Sequence, residues 1–210
     1  MKIEYILVLI GILSLLLAGL LYLQTRGTHQ NSYQTPQDPC LFGSIRLCNV
    51  SVPSNVKIEY KANLSPELMN YYSKGELYVF HSCVEGGRVE DNYKKAQMKV
   101  ANDISDFLGQ VVKSTSSLIK NGSSEFYSRA VRIISNNVVV GMIILAKYHY
   151  IDPPLDKYCV IAFYNPKKAL EIMKNYSDLL SYLKKSNISQ EDFEKLFMEN
   201  AKKLYSVYGR

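Results

Sequence analysis

His81 and Cys83 stand two apart in the run ELYVFHSCV, a spacing that in an extended chain turns both side chains to one face. A cysteine and a histidine held together can act as nucleophile and base. The competing reading is that both pack beneath the central helix. Cys159 lies in a second extended run, KYCVIAFY, that could neighbour the first, so a Cys83–Cys159 disulfide competes with any catalytic use of the thiol. His29, His81 and His149 with Cys40, Cys48, Cys83 and Cys159 offer soft metal ligands, but no Cys-x-x-Cys or His-x-x-x-His spacing joins them. Asp103 with Asp106, and Asp152 with Asp156, are carboxylate pairs at spacings that suit a solvated helix face and a turn better than acid–base work. Gly86-Gly87-Arg88 lacks the spacing and downstream lysine of a phosphate loop and reads as a turn. No catalytic, cofactor-binding or metal-binding residue is assigned, and no cofactor is expected. A small exported enzyme using His81 and Cys83 stands as the alternative to a binding module.

The element that must position these residues is the helix expected from Asn92 to Val112. Tyr93, Ala96, Val100, Ile104, Phe107, Leu108 and Val111 recur at steps of three and four, with Lys94, Lys95, Lys99, Asp103 and Asp106 turned the other way. Gly109 sits inside that pattern at a cost of about 1 kcal/mol relative to alanine, so fraying of the last turn is expected. Strands are expected over Glu76 to Val84, Val138 to Tyr150 and Lys157 to Tyr164, the last two joined by the turn Asp152-Pro153-Pro154-Leu155-Asp156, with a bulge or bend at Gly141. Pro53 confines any strand between Val50 and Tyr60 to a sheet edge. Helices are expected over Pro66 to Ser73, Ser124 to Ser135, Asn165 to about Tyr176, Asp178 to Lys185 and Ser189 to Val207. Ser65 is the N-cap of the first, and Ser189 with Asp192 forms a capping-box-like start to the last. Phe193, Leu196, Phe197, Ala201, Leu204 and Tyr205 line the apolar face of that last helix, which needs either the sheet or another chain to cover it; they are the interaction candidates.

Tyr5 to Leu23, YILVLIGILSLLLAGLLYL, runs nineteen residues without a charge. That is close to the ~20 residues that span a bilayer core and longer than the roughly 7–15 apolar residues of a cleavable signal peptide. An uncleaved, single-pass signal anchor is the preferred reading, against cleavage after Gly27. With Lys2 on the short amino-terminal side, the rest of the chain is expected outside the cytoplasm. Residues 25–39 are polar and read as a linker. The organisation expected is therefore an anchor at 1–24, the linker, an α+β domain at 40–176 and a helical extension at 177–210: a small antiparallel sheet packed against a long central helix and C-terminal helices.

Two features agree with an external location. Asn-x-Ser acceptor patterns occur at Asn49, Asn63, Asn121, Asn175 and Asn187, and the four cysteines are an even number. Cys40 and Cys48, with LFGSIRL between them, are expected to close a local loop. A net charge of +6 is spread along the chain without a run of five basic residues, which argues against nucleic acid as a partner.

The order of elements, with YSKGELYVF, NYKKAQMKVANDISDFLG and VVVGMIILAKYHYIDPPLDKYCVIAFYNPKKALEIM, resembles the small Helicobacter-type envelope-lipoprotein family over about Tyr72 to Lys174. The resemblance implies an α+β domain at a cell surface, similar to the first domain of a flagellar-assembly protein, with adhesive or assembly roles. It transfers no active-site residues. The chain departs from the family in having Leu20, not a lipid-bearing cysteine, after Leu17-Ala18-Gly19, and in the added segments Cys40 to Tyr60 and beyond Asp178. The expected partners are the membrane and a protein or envelope polymer, with a homo-oligomer as a further form.

Overall fold

The β-branched and aromatic runs pair as the alternation requires. In a computed structural model describing residues 38–86, 89–117, 124–152 and 155–208, β3 (Lys57–Lys61), β4 (Tyr78–Glu85), β5 (Met142–Asp152) and β6 (Leu155–Tyr164) form one antiparallel sheet in the order β3-β5-β6-β4. The central strand β6 is buried along nearly all its length, and its period-two alternation divides it between two cores. Tyr158, Val160, Ala162 and Tyr164 face a helical layer, while Cys159, Ile161 and Phe163 face a layer built by the N-terminal part of the described chain. β3 and β4 are the edges. Pro53 precedes the short edge strand β3, in line with proline's restriction to edges.

The helical layer is organised by α2, Val89–Ser117. Its i, i+3, i+4 stripe, Ala96, Val100, Ile104, Phe107, Leu108, Val111 and Val112, is buried against the sheet and the later helices. The helix runs about one turn past each expected end. At its start the Asn92 amide donates to the Gly86 carbonyl, closing the turn where Gly86 has φ of 113°. The end does not fray at Gly109, because Gly109 is buried with Val131 of α3 (Ser124–Asn137) packed over it. Ser65 and Ser189 cap as expected: the Ser65 hydroxyl accepts from the Leu68 N–H at 3.2 Å at the head of α1 (Pro66–Ser73), and the Ser189 hydroxyl accepts from the Asp192 N–H at 3.0 Å at the head of α6 (Gln190–Tyr208).

One expectation fails, and one that stood open between two alternatives takes the intramolecular one. Val138 to Gly141 is a 3-10 turn, not strand, and β5 begins only at Met142. The Tyr164 ring fills the space beside Gly141, 2.8 Å from where a Cβ would stand, so the chain is lifted past it while Val139 and Val140 point to solvent. The bulge falls later, between Ile144 and Ala146. The apolar face of α6 does not wait for another chain either. Phe193, Phe197 and Ala201 are buried, Leu204 and Tyr205 pack on the same core, and Leu196 is half-buried. Phe193 meets Phe126 edge-on at 5.9 Å, and Asn200 donates to the buried Thr115 hydroxyl of α2 at 3.1 Å. In chain order β6 is followed by α4 (Pro166–Lys174) and α5 (Ser177–Lys185), which place Leu170, Met173 and Leu183 in the same core.

The opposite face is covered by little regular structure. β1 (Leu41–Phe42) and β2 (Ile45–Arg46) form a tight hairpin under the Cys40–Cys48 disulfide, turning at Gly43 with φ of 61°. Asp38 gathers this layer: it pairs with Arg46, its side chain accepts from the Cys40 N–H at 2.8 Å, and its carbonyl accepts from Lys61 Nζ at 2.9 Å. No helix among the described residues is long and apolar enough to cross a membrane; Tyr5 to Leu23 and residues 25–37 of the expected 25–39 linker lie outside them, while Asp38, at the end of that linker, is bonded into the domain.

Candidate functional site

Edge strand β4 brings together the chemistry-bearing residues, and its alternation sends them to opposite sides. His81 and Cys83 share a face as their spacing requires, but it is the face away from α2, under the N-terminal layer. The expectation that they lie beneath the central helix is therefore corrected: Tyr78, Phe80, Ser82 and Val84 occupy that side. Cys83 and Cys159 are directly opposed in register, with Cα atoms 4.1 Å apart, and form a disulfide. All four cysteines are paired, including the expected Cys40–Cys48.

The half-buried His81 imidazole stands with Nε2 2.7 Å from the Tyr148 hydroxyl and 3.5 Å from Cys83 Sγ. Burial, and secondarily the positive charge of Lys99, lowers its pKa, so the ring is held neutral. Burial raises the Tyr148 hydroxyl. A neutral imidazole beside sulfur has the composition of a nucleophile–base pair, but the sulfur is bonded to Cys159 and offers no thiolate. The same bond bears on metal binding. His81, Cys83 and Cys159 place ligand atoms within 4.8 Å of one another, yet two of the three are disulfide sulfurs. His149 is not part of that group: its Nδ1 lies 3.1 Å from the Tyr93 hydroxyl and 3.6 Å from Glu59, on the α2 side. His29 and Asn121 lie outside the described residues, as do Gly87 and Arg88 of the glycine turn.

On the α2 side, a cleft of about 360 Å³ opens between the free edge of β4, α2 and the end of α6. Its walls are aromatic and acidic. Phe80, Phe107 and Tyr205 pack as a trio with centroids 5.6 to 6.2 Å apart, and Asp103 and Asp106 stand exposed at the rim. Asp103 accepts a hydrogen bond from the Ser82 hydroxyl. The Tyr205 hydroxyl accepts from the Val79 N–H at 2.8 Å and donates to the Val79 carbonyl at 3.0 Å, so one side chain satisfies both outward groups of an edge residue. Lys99 Nζ similarly donates to the Cys83 carbonyl at 3.1 Å.

Of the carboxylate pairs, Asp103 and Asp106 thus border a cleft, whereas Asp156 lies in the β5–β6 hairpin opposite Ile151 and gives its carbonyl to the Gly86 N–H at 3.1 Å. The Asn-x-Ser asparagines at 49, 63, 175 and 187 are all exposed. Sequence reading missed the part played by Tyr205 and by the β4 edge, because the hydroxyl–backbone contact spans 126 residues. No family model, no curated protein and no solved structure matches this chain.

Proposed function

We propose that the chain is a membrane-anchored, extracytoplasmic binding or assembly module of the cell envelope, acting by contact and not by catalysis. The observation that carries this reading is the cystine pairing: every cysteine is in a disulfide, and disulfides persist in oxidising compartments. The uncharged Tyr5 to Leu23 stretch supplies the anchor, with one span and the remainder outside. Four exposed Asn-x-Ser asparagines are consistent with that side of the membrane. For contact, the domain offers the cleft at the β4 edge, where aromatic faces, carboxylates and a strand backbone converge.

Protease treatment of intact cells tests location. The domain should be digested while a cytoplasmic marker survives; a domain that persists while a known external protein is cut overturns the orientation. An ester or peptide hydrolysis lost in His81→Ala, with the circular dichroism spectrum unchanged, overturns the non-catalytic part.

A further inference from the structure

We propose that the free edge of β4 receives an extended, basic segment of a partner protein, which adds as a further strand beside β4 and sets a Lys or Arg side chain into the acidic cleft. This rests on reading the chain as a binding module. An edge strand leaves alternate amides without a neighbouring strand, and added segments pair with them. On β4 the outward residues are Val79, His81 and Cys83, as the contacts of Val79 and Cys83 with side chains show. The Tyr205 hydroxyl makes both of the bonds to Val79 that a strand backbone would make, and Lys99 makes one to Cys83. Lys99 reaches its carbonyl with the tip of a flexible side chain, whereas the Tyr205 ring is stacked on Tyr78 with centroids 4.2 Å apart, so an incoming backbone that takes over its two bonds also turns that ring aside. Between them the cleft opens at His81, whose imidazole is engaged with Tyr148 on the other face.

The same cleft selects for charge. Asp103 and Asp106 stand at its rim in a chain whose net charge is +6, and the partly exposed Tyr205 ring offers surface for the apolar stem of a cationic side chain or for the cation itself, over the buried Phe107. A second copy pairing through its own β4 does not satisfy this chemistry. β4 reads YVFHSCVE, with no Lys or Arg, and would bring Glu85 to the interface.

The experiment uses the full chain in detergent micelles and a fluorescent, Thr- and Val-rich peptide with a central arginine, alongside versions with central glutamate and with alternate backbone amides N-methylated. The arginine peptide should bind, and the glutamate peptide about tenfold more weakly, because the exchange removes an exposed ion pair and adds a like-charge contact of similar size. N-methylation on the pairing edge should abolish binding. Asp106→Lys, which offsets the charge of Asp103, should abolish the charge preference. Tyr205→Phe, which keeps the ring and removes the competing hydroxyl, should bind several-fold tighter, a gain that a damaged fold cannot imitate. Equal binding of the two charges, indifference to N-methylation, no gain in Tyr205→Phe or no binding of any peptide overturns the proposal. Self-association of Tyr205→Phe without peptide also overturns it, in favour of a second copy. A domain protected from protease on intact cells sinks the envelope reading but leaves the peptide result standing, so the two failures are separable.

Discussion

The two faces of the four-stranded sheet are stabilised by different means. On one, α2 and α6 bury large apolar side chains, with Ala96, Val100, Ile104, Leu108 and Phe197 essentially inaccessible. On the other, two-residue strands, coil and the short helix α1, whose Tyr72 meets Phe163 at 5.5 Å, lie over Leu145, Ile161 and Phe163, held by the Cys40–Cys48 bridge and by the bonds of Asp38. A continuous helix brings its own backbone hydrogen bonds and needs only a stripe of apolar residues. An irregular layer must satisfy its backbone piecemeal and spends more conformational entropy per apolar contact, so a short covalent loop contributes more there. Local stability should therefore be high on the helical face and low on the disulfide face.

The sharpest way to break the helical face is Phe197→Ala, which removes a fully buried ring from the junction of α6 with the core. A loss of about 3–5 kcal/mol is expected from the vanished contacts and the cavity. Urea unfolding followed by circular dichroism reads it. A loss near zero would mean that α6 is not integral to the core, and would return its apolar face to the interaction role expected from sequence. The corresponding change on the other face is Cys40→Ala with Cys48→Ala. Closure over a separation of 8 residues contributes about 2.5 kcal/mol in the chain-entropy account. Hydrogen exchange should show the difference in kind: removing the bridge should accelerate amides of 38–62 while those of α2 keep their protection, whereas Phe197→Ala should expose α2. Acceleration of α2 in the double alanine variant would show that the two faces unfold as one.

What the sequence made legible follows the same division. Apolar period located α2 to within about one turn at each end, period two located β6, and local chemistry located the caps at Ser65 and Ser189 and the Cys40–Cys48 loop. These are short-range signals. The side of the sheet that His81 and Cys83 occupy was not legible, because alternation says that they share a face and leaves tertiary packing to choose which one. Val138 to Gly141 was misread for a related reason: three valines favour strand, but the ring of Tyr164, from the partner strand, occupies the space at Gly141. The cleft depends on Tyr205 meeting Val79, a contact that no local pattern announces.

The smallest effect expected is one of pH, and it too belongs to the disulfide face. His81 is half-buried between the Cys83–Cys159 bond and Tyr148, with Lys99 reaching the neighbouring Cys83 carbonyl, and burial and that charge lower its pKa below the ordinary histidine value of about 6.5. The unfolded chain then binds a proton at a pH where the folded chain does not. Stability from this group is complete above about pH 6.5 and is lost as pH falls through the lowered folded value. Glu59 and Glu194, held below the usual carboxylate range by Lys57 and Lys174, are lost only at more acid pH, beneath about 4.5, so the windows separate. Urea midpoints between pH 7.5 and 5 should fall in the wild-type chain and fall less in His81→Gln. Exchange measured over the same range should place the acid-induced opening in the residues over Tyr148, not in α2. Equal slopes in the two proteins would show that His81 titrates alike folded and unfolded, and that the disulfide face excludes water less well than its burial implies.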